Sequence, residues 1–203
     1  MSDWKQSAIL QNDVKVDIGF MASESFYFGP DNGFTPEQYE ELRAPLYQPK
    51  LKRSGQFILS SEIIGNEEEL IKHYQDIAMK YKEYGKDISK STHFWNRPVI
   101  YNSEFVISFP WHDKFGEGRN VLDNLTSTED GNVYWDADQG WELEITAEED
   151  FMYAREWDPD NEELHCQVKF DRVQVRQQAT ALIPNISVLI KKLSEAVGHD
   201  YWT

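Results

Sequence analysis

The feature that most constrains the fold is a segment, residues 129–163, that is both very acidic and regularly apolar. It holds 14 Asp and Glu side chains against one basic side chain, Arg155, which gives a net charge of −13 over 35 residues. Successive side chains of a strand point to opposite faces, so apolar residues at alternate positions predict strands with one buried and one wet face. We therefore expect strands near 132–137, 140–146 and 150–157. The alternation is carried by Val133, Trp135, Trp141, Leu143, Ile145, Phe151, Tyr153 and Trp157.

Turn signals and further alternating stretches complete the predicted sheet. Asp158-Pro159-Asp160-Asn161 predicts a turn, followed by a returning strand over 163–170. Three earlier strands are expected over residues 14–20, 56–64 and 98–109. Residues 29–33, Gly-Pro-Asp-Asn-Gly, predict a turn, and residues 114–130 read as a loop because they contain two glycines and scattered polar side chains.

Three helices are predicted from their start signals and their periodicity. Thr35 followed by Pro36 is a typical N-cap and first helical residue, and Asn66 followed by three glutamates predicts a helix that ends near Gly85. The last helix is the clearest, although Pro184 is expected to kink it or split it in two. Its apolar positions follow a period of 3.6 residues and are Val175, Ala179, Leu182, Ile186, Leu189, Ile190, Leu193 and Val197.

This order of elements predicts one α+β domain over residues 1–203, with a mainly antiparallel sheet, helices packed on one side and a long C-terminal helix. A length of 203 residues suits one domain or two small ones. The one cysteine, Cys166, cannot form an intramolecular disulfide and is expected to be a buried, inert thiol. No secretory signal follows Met1, which predicts a cytoplasmic protein.

The net charge of −16 limits the possible partners. Such a chain repels the phosphates of nucleic acids and anionic membranes, and no apolar run approaches the ~18 residues of a membrane span. We therefore expect no nucleic-acid or membrane partner, whereas a basic protein would be attracted.

The acid is concentrated more strongly than solubility requires, since the 168 residues outside the segment have a net charge of only −3. Two interpretations stay open: a surface that faces a partner, or a solvated face. On the first, the central acids would be Asp136, Asp138, Glu142 and Glu144. Trp141 and Trp157 would be neighbouring anchors, because Trp is enriched at binding hot spots.

Catalytic and cofactor motifs are not found in the sequence. His93, His112 and Asp113, with a carboxylate from Asp136 or Asp138, could contribute to a metal site, but their spacing does not specifically support one. Asp136-Ala137-Asp138-Gln139-Gly140 begins like a calcium loop without its later ligands, and a hairpin turn is the better interpretation. We expect no enzyme activity, no metal and no cofactor.

The chain is small and acidic, and it has tryptophan-rich strands such as residues 134–141 and the ending Gly198-His199-Asp200-Tyr201-Trp202-Thr203. In these features it has a general resemblance to bacterial immunity proteins of polymorphic toxin systems. The resemblance implies a small, acidic, cytoplasmic α+β protein that binds and blocks a cognate toxin. The toxin would be basic, for example a nuclease, whose cleft the acidic surface would occupy. It implies no catalytic residues. A structural or assembly protein of phage or secretion type and an uncharacterised enzyme are the alternatives.

Overall fold

The computed structural model of the chain describes residues 4–30 and 35–203. The strands among these residues are β1 (Ile9–Leu10), β2 (Lys15–Met21), β3 (Ser25–Tyr27), β4 (Arg43–Pro45), β5 (Arg53–Ser54), β6 (Phe57–Leu59), β7 (Asn96–Tyr101), β8 (Val106–Ser108), β9 (Gly131–Asp138), β10 (Trp141–Glu148), β11 (Phe151–Asp158) and β12 (Glu163–Asp171). The helices are α1 (Pro36–Glu41), α2 (Ser60–Ile63), α3 (Glu67–Glu83), α4 (Phe115–Leu125) and α5 (Arg172–Val197).

The predicted α+β fold, with mainly antiparallel pairing and a long C-terminal helix, is confirmed. The turn predicted over residues 29–33 includes positions 31–33, which lie outside the described residues. Within residues 4–30 and 35–203, no helix combines the length and the apolar character needed to cross a bilayer.

The chain divides into two compact units, each built from two stretches of sequence. Unit 1 comprises residues 1–17 and 97–185, and unit 2 comprises residues 18–96 and 186–203. β2, β7 and α5 each contribute residues to both units. The prediction of one domain over 1–203 stays a prediction.

Unit 1 is dominated by the predicted acidic strands. β9, β10, β11 and β12 form a run of consecutive antiparallel hairpins, and β1 joins the far edge by pairing in parallel with β12. The predicted burial of Val133, Leu143 and Ile145 is confirmed, whereas Trp135 is exposed and the buried positions of β11 are Met152 and Ala154 rather than Phe151 and Tyr153. The most deeply buried residues of these strands are Leu143, Ile145, Met152, Ala154 and Phe170.

Unit 2 contains a short antiparallel arrangement of β5, β6 and the end of β2, the β3–β4 pair and the helix α3. Its core is aromatic. Tyr74 of α3 and Phe94 both contact the fully buried Trp202, with ring centroids 4.9 and 5.3 Å apart from it. The Tyr74 hydroxyl donates to the backbone oxygen of Met21 at 2.9 Å. A residue next to the C-terminus is therefore part of the core of this unit.

The strand predicted over 56–64 is wrong beyond Leu59, because residues Ser60–Ile63 turn into the short helix α2. In a continuous strand Ile58 and Ile64 would share a face. The helical turn instead buries Ile63 completely, alongside Ile58, and leaves Ile64 exposed.

The strand predicted over 98–109 is also wrong, since the chain reverses within it to make the β7–β8 hairpin. The Asn102 side-chain oxygen accepts the backbone N–H groups of Glu104 at 2.7 Å and Phe105 at 3.1 Å. This local capping of the backbone is the way asparagine makes turns, and it interrupts an apolar pattern that otherwise reads as one strand.

The loop predicted over 114–130 contains α4, so that prediction is wrong as well. Phe115, Val121, Leu122 and Leu125 form the buried face of the helix. The two glycines that argued against a helix lower its intrinsic propensity. Gly118 has a packing reason, because a Cβ there would lie 3.1 Å from the ring of Pro98.

The last helix is confirmed as α5, which continues unbroken through Pro184, so the predicted split does not occur. Ile186, Leu189 and Leu193 are buried as expected, whereas Leu182 is only half-buried. The helix that begins at Pro36 is confirmed, with the Thr35 hydroxyl accepting the Gln38 N–H. Asn66 precedes α3 as predicted, but its side chain donates to the Glu62 carbonyl rather than capping the helix.

Candidate functional site

The acidic hairpins of unit 1 are held in register by very short turns. Gln139 and Gly140 alone join β9 to β10, and both have positive φ, +41° and +85°, as tight two-residue hairpins require. A Cβ at Gly140 would lie 3.2 Å from a carboxylate oxygen of Asp160, so glycine also permits the close approach of the next hairpin turn. The hairpin turn predicted here is confirmed.

This register separates the six predicted binding residues into two groups on opposite faces of the sheet. Paired residues of an antiparallel sheet project to the same face. Glu142 pairs with Trp157 and Glu144 with Trp135, which defines one face. We call it the Trp135–Trp157 face; its members are Trp135, Glu142, Glu144, Arg155 and Trp157.

Asp136, Asp138 and Trp141 belong to the opposite face. Asp136 pairs with the buried Leu143, and Asp138 pairs with Trp141. The four acids predicted as one central group therefore do not share a face, because Asp136 and Asp138 project away from Glu142 and Glu144. Across a two-residue turn, an even-numbered residue of one strand pairs with an odd-numbered residue of the next. Even-numbered acids of β9 and of β10 must therefore project to opposite faces of the sheet.

The Trp135–Trp157 face is an ordered arrangement of aromatic and charged side chains. The Trp135 indole N–H donates to Glu142 at 2.8 Å, and Glu144 lies 3.6 Å from an Arg155 nitrogen. The Arg155 guanidinium carbon lies 3.8 Å from the centroid of the Trp157 ring, a cation–π contact. Trp135 itself is 57% exposed. Tryptophan and arginine in such a setting are the residue types that most often carry binding energy at interfaces.

Trp4 extends this face from the N-terminal stretch of unit 1. Its ring lies 5.1 Å from the Arg155 guanidinium carbon, so Arg155 contacts two indoles. It also makes an edge-to-face contact with Tyr153, with centroids 6.4 Å apart. Sequence reasoning missed Trp4, Trp135 and Arg155 as site residues. The sequence does contain a signal for Arg155, which is the one basic residue in the acidic segment. Across the hairpin turn, its odd-numbered position lies on the same face of the sheet as the even-numbered Glu142 and Glu144.

On the opposite face the predicted residues are tied into the fold. The Tyr134 hydroxyl donates to Asp136 at 3.0 Å and lies 2.9 Å from His112 Nε2. Since this hydroxyl has one hydrogen, His112 is the donor in the second contact. Burial, followed by the Asp136 carboxylate, raises the pKa of Tyr134. The Trp141 N–H donates to Glu156 at 2.7 Å. These contacts give Asp136, His112 and Trp141 structural partners.

Of the candidate metal-binding residues, His112 and Asp136 both contact the Tyr134 hydroxyl, and two of the others have partners of their own. His112 and Asp113 belong to unit 1 and His93 to unit 2. His93 contacts the Ser23 hydroxyl, and Asp113 pairs with Arg97 at 2.6 Å. Among the residues that the structure describes, no three His, Cys, Asp or Glu side chains are grouped so that they could hold a metal ion.

Cys166 is buried, as predicted, on the same face as Glu156. Burial, reinforced by the Glu156 carboxylate, raises the pKa of the Cys166 thiol to about 11. The thiol is therefore protonated at neutral pH and is a poor nucleophile.

The exposed acids lie at the hairpin turns. Glu149 and Asp150 join β10 to β11, and Asp160 and Glu162 lie between β11 and β12. The Asp158 carboxylate accepts hydrogen bonds from the Asn161 side chain and backbone, and these bonds close the predicted turn. They also lower the pKa of Asp158. The Trp135–Trp157 face thus belongs to a sheet whose turns carry exposed acids.

Comparison of the chain with protein-family models, with curated proteins and with solved structures finds no match in any of the three. The resemblance to immunity proteins accordingly stays a prediction.

Proposed function

We propose that the chain is an immunity-type binding protein that neutralises a cognate basic toxin, such as a nuclease, in the cytoplasm. Binding is through the Trp135–Trp157 face, and the protein makes and breaks no covalent bond. This narrows the six sequence candidates to Glu142, Glu144 and Trp157, to which the register adds Trp135 and Arg155.

One observation carries the proposal: an exposed tryptophan, a second tryptophan stacked on arginine, and two carboxylates share one face of the most acidic part of the chain. A face that only had to be solvated would not require two indoles. Interface centres are rich in tryptophan and arginine, and acidic groups around them speed association with basic partners.

The charge distribution supports a division of roles between the centre of the surface and its surroundings. Glu142 and Glu144 are half-buried and already hold partners on the face, which fixes their position. The exposed acids of the turns are screened by salt over about 8 Å at physiological ionic strength. They would steer the encounter with a basic cleft, while the central residues would supply affinity.

The experiment is to test the products of the neighbouring genes for a toxic basic protein, to score growth rescue on coexpression with this chain, and then to measure the purified pair by surface plasmon resonance at low and high salt. Replacing Glu142 and Glu144 by Gln should weaken binding, since truncation of one central, desolvated acid costs about 2–5 kcal/mol. The association rate of the unmodified protein should fall as salt rises.

Two exposed acids of unit 2 provide the matched control, because Glu68→Gln with Glu83→Gln removes the same charge elsewhere. Circular dichroism must show that both double variants are folded. Equal affinity of the Glu142/Glu144 variant and the unmodified protein, with the same salt dependence, would show that the Trp135–Trp157 face is a solvated surface.

A further inference from the structure

Unit 2 contains a cavity of about 610 Å³ with a polar and cationic lining. This volume falls in the range of small-molecule sites, which is roughly 300–1,000 Å³. The groups that could meet a ligand come from four separate parts of the unit. They are Ser23, Ser25, Arg43, Arg53, Thr92 and His93.

Two guanidinium groups make the cavity cationic within an acidic protein. Among the described lining residues, Arg43 and Arg53 contribute two positive charges and Glu24 one negative charge, and Arg43 also pairs with Glu40 outside the lining at 3.2 Å. The excess of positive charge is notable because the chain as a whole carries −16. The cavity therefore favours an anionic ligand.

Each arginine is oriented by the fold and keeps further donors. Arg53 donates from its two terminal nitrogens to the Ala22 carbonyl at 2.5 Å and to Gln48 at 2.6 Å. Arg43 donates to the Ser25 hydroxyl at 3.1 Å and pairs with Glu40 at 3.2 Å. A guanidinium has five N–H groups, so these contacts position each arginine without using all its hydrogens.

His93 is also held in one orientation beside the cavity. Its Nδ1 lies 2.7 Å from the Ser23 hydroxyl, and its ring stacks on Phe26 with centroids 5.9 Å apart. Burial lowers the pKa of His93 to about 4. The ring is consequently neutral at pH 7, and it contributes hydrogen bonding rather than charge.

We propose that this cavity binds a small phosphomonoester, with Arg43 and Arg53 as the charged ligands of its phosphoryl group. Two guanidiniums can bind the doubly charged phosphoryl group, Arg43 while it also contacts Glu40, and their planar forks suit its oxygens. The serine and threonine hydroxyls supply shorter-range hydrogen bonds. The volume leaves room for the organic part of the molecule. This inference does not depend on the proposed function.

The test is isothermal titration calorimetry of the full chain at pH 7.5 and constant ionic strength, with three probes. These are inorganic phosphate, ribose 5-phosphate as a phosphomonoester, and acetate as a carboxylate. We expect ribose 5-phosphate to bind at least tenfold more tightly than inorganic phosphate, and acetate to bind more weakly than either. Tighter binding of acetate, or no binding of any probe at 10 mM, would overturn the proposal.

Arg43→Gln is the informative variant, because Arg43 is exposed and its loss should leave the fold intact. It should weaken ribose 5-phosphate binding at least tenfold with an unchanged Tm in the absence of ligand. Arg119→Gln removes the same charge from an exposed residue of α4 and should leave binding unchanged. Equal weakening by both variants would show non-specific attraction and overturn the assignment.

Arg53→Lys, which keeps the charge and loses the planar fork, should also weaken binding; unchanged affinity in a folded Arg53→Lys protein would remove Arg53 from the site.

Discussion

The two units carry charge and assemble their cores in different ways. Unit 1 holds 22 acidic and 9 basic residues, a net charge of −13, whereas unit 2 holds 14 and 11, a net charge of −3. Four of the five strands in the sheet of unit 1 are neighbours in sequence, with β1 added at the edge, whereas unit 2 closes its core with Trp202 from the far end of the chain. Hairpins between neighbouring strands can therefore accommodate many acidic side chains, because these lie at turns or form ion pairs. Unit 2, which is nearly neutral, depends instead on packing between residues that are far apart in sequence.

Two tryptophans test this difference most strongly. Trp202 is fully buried in unit 2, and Trp135 is 57% exposed in unit 1. Replacing Trp202 by Ala should lower the free energy of unfolding by about 3–5 kcal/mol, because it removes a large buried ring. Trp135→Ala should change it by no more than about 0.5 kcal/mol. Urea unfolding measures both values.

Hydrogen exchange of the Trp202→Ala protein then sharpens the comparison. If the two units are separate in energy, amides of β5, β6 and α3 lose protection while those of β9–β12 keep it. Uniform loss of protection throughout the chain would show one cooperative unit instead.

The second expected effect concerns Arg172, which is the buried cation of unit 1 and 6% exposed. It donates to the Glu129 carbonyl at 2.5 Å and the Glu149 carbonyl at 3.1 Å, and it pairs with Asp130 at 2.6 Å. Arg172→Ala should cost about 1.5–3 kcal/mol, the net contribution of hydrogen bonds from a charged group, because the variant loses these bonds. Chemical unfolding of this variant and of Arg119→Ala, an exposed control, provides the measurement; equal stabilities would contradict the assigned role.

A smaller effect should depend on pH. The hydrogen bond from Arg172 lowers the pKa of Asp130. A depressed carboxyl pKa contributes stability that is present above the unfolded-state pKa, about 3.9, and is lost as pH falls through the folded-state value. The stability difference between the unmodified protein and Asp130→Asn should therefore shrink between pH 6 and pH 3. A difference that is constant over this interval would show that Asp130 does not titrate with folding.

How far the sequence could predict the fold differs between the same two regions. β9–β12 were predictable because alternation and turn residues are both local signals. The faces of Asp136 and Glu142 follow from the two-residue turn at 139–140 by counting positions, and were missed because alternation was read strand by strand. The irregular register between Glu156 and Trp157 has no such signal.

The cavity and core of unit 2 are less predictable from sequence, for a physical reason. The cavity combines Ser23 and Ser25 with Arg43, Arg53 and His93, whose spacing matches no local element. Their proximity depends on how strands and loops pack, which no short-range pattern encodes. The burial of Trp202 likewise depends on its meeting Tyr74 and Phe94.

The smallest expected effect is the coupling between Glu144 and Arg155 on the Trp135–Trp157 face. Their nitrogen and oxygen are 3.6 Å apart, and each side chain is about one quarter exposed, 26% and 27%. A pair in contact with solvent usually contributes about 0.2–1 kcal/mol. A double-mutant cycle of Glu144→Ala and Arg155→Ala should give a coupling in this range that decreases in 1 M salt. Arg155→Ala alone should cost more than Glu144→Ala, because the guanidinium also packs on the Trp157 and Trp4 rings. A coupling well above 1 kcal/mol that salt does not weaken would mean that the pair is shielded from solvent and stabilises unit 1 itself. The weak coupling expected here instead means that the charges of this face contribute little to the stability of the fold. A surface that binds a basic partner requires this, because its charges must stay available to that partner.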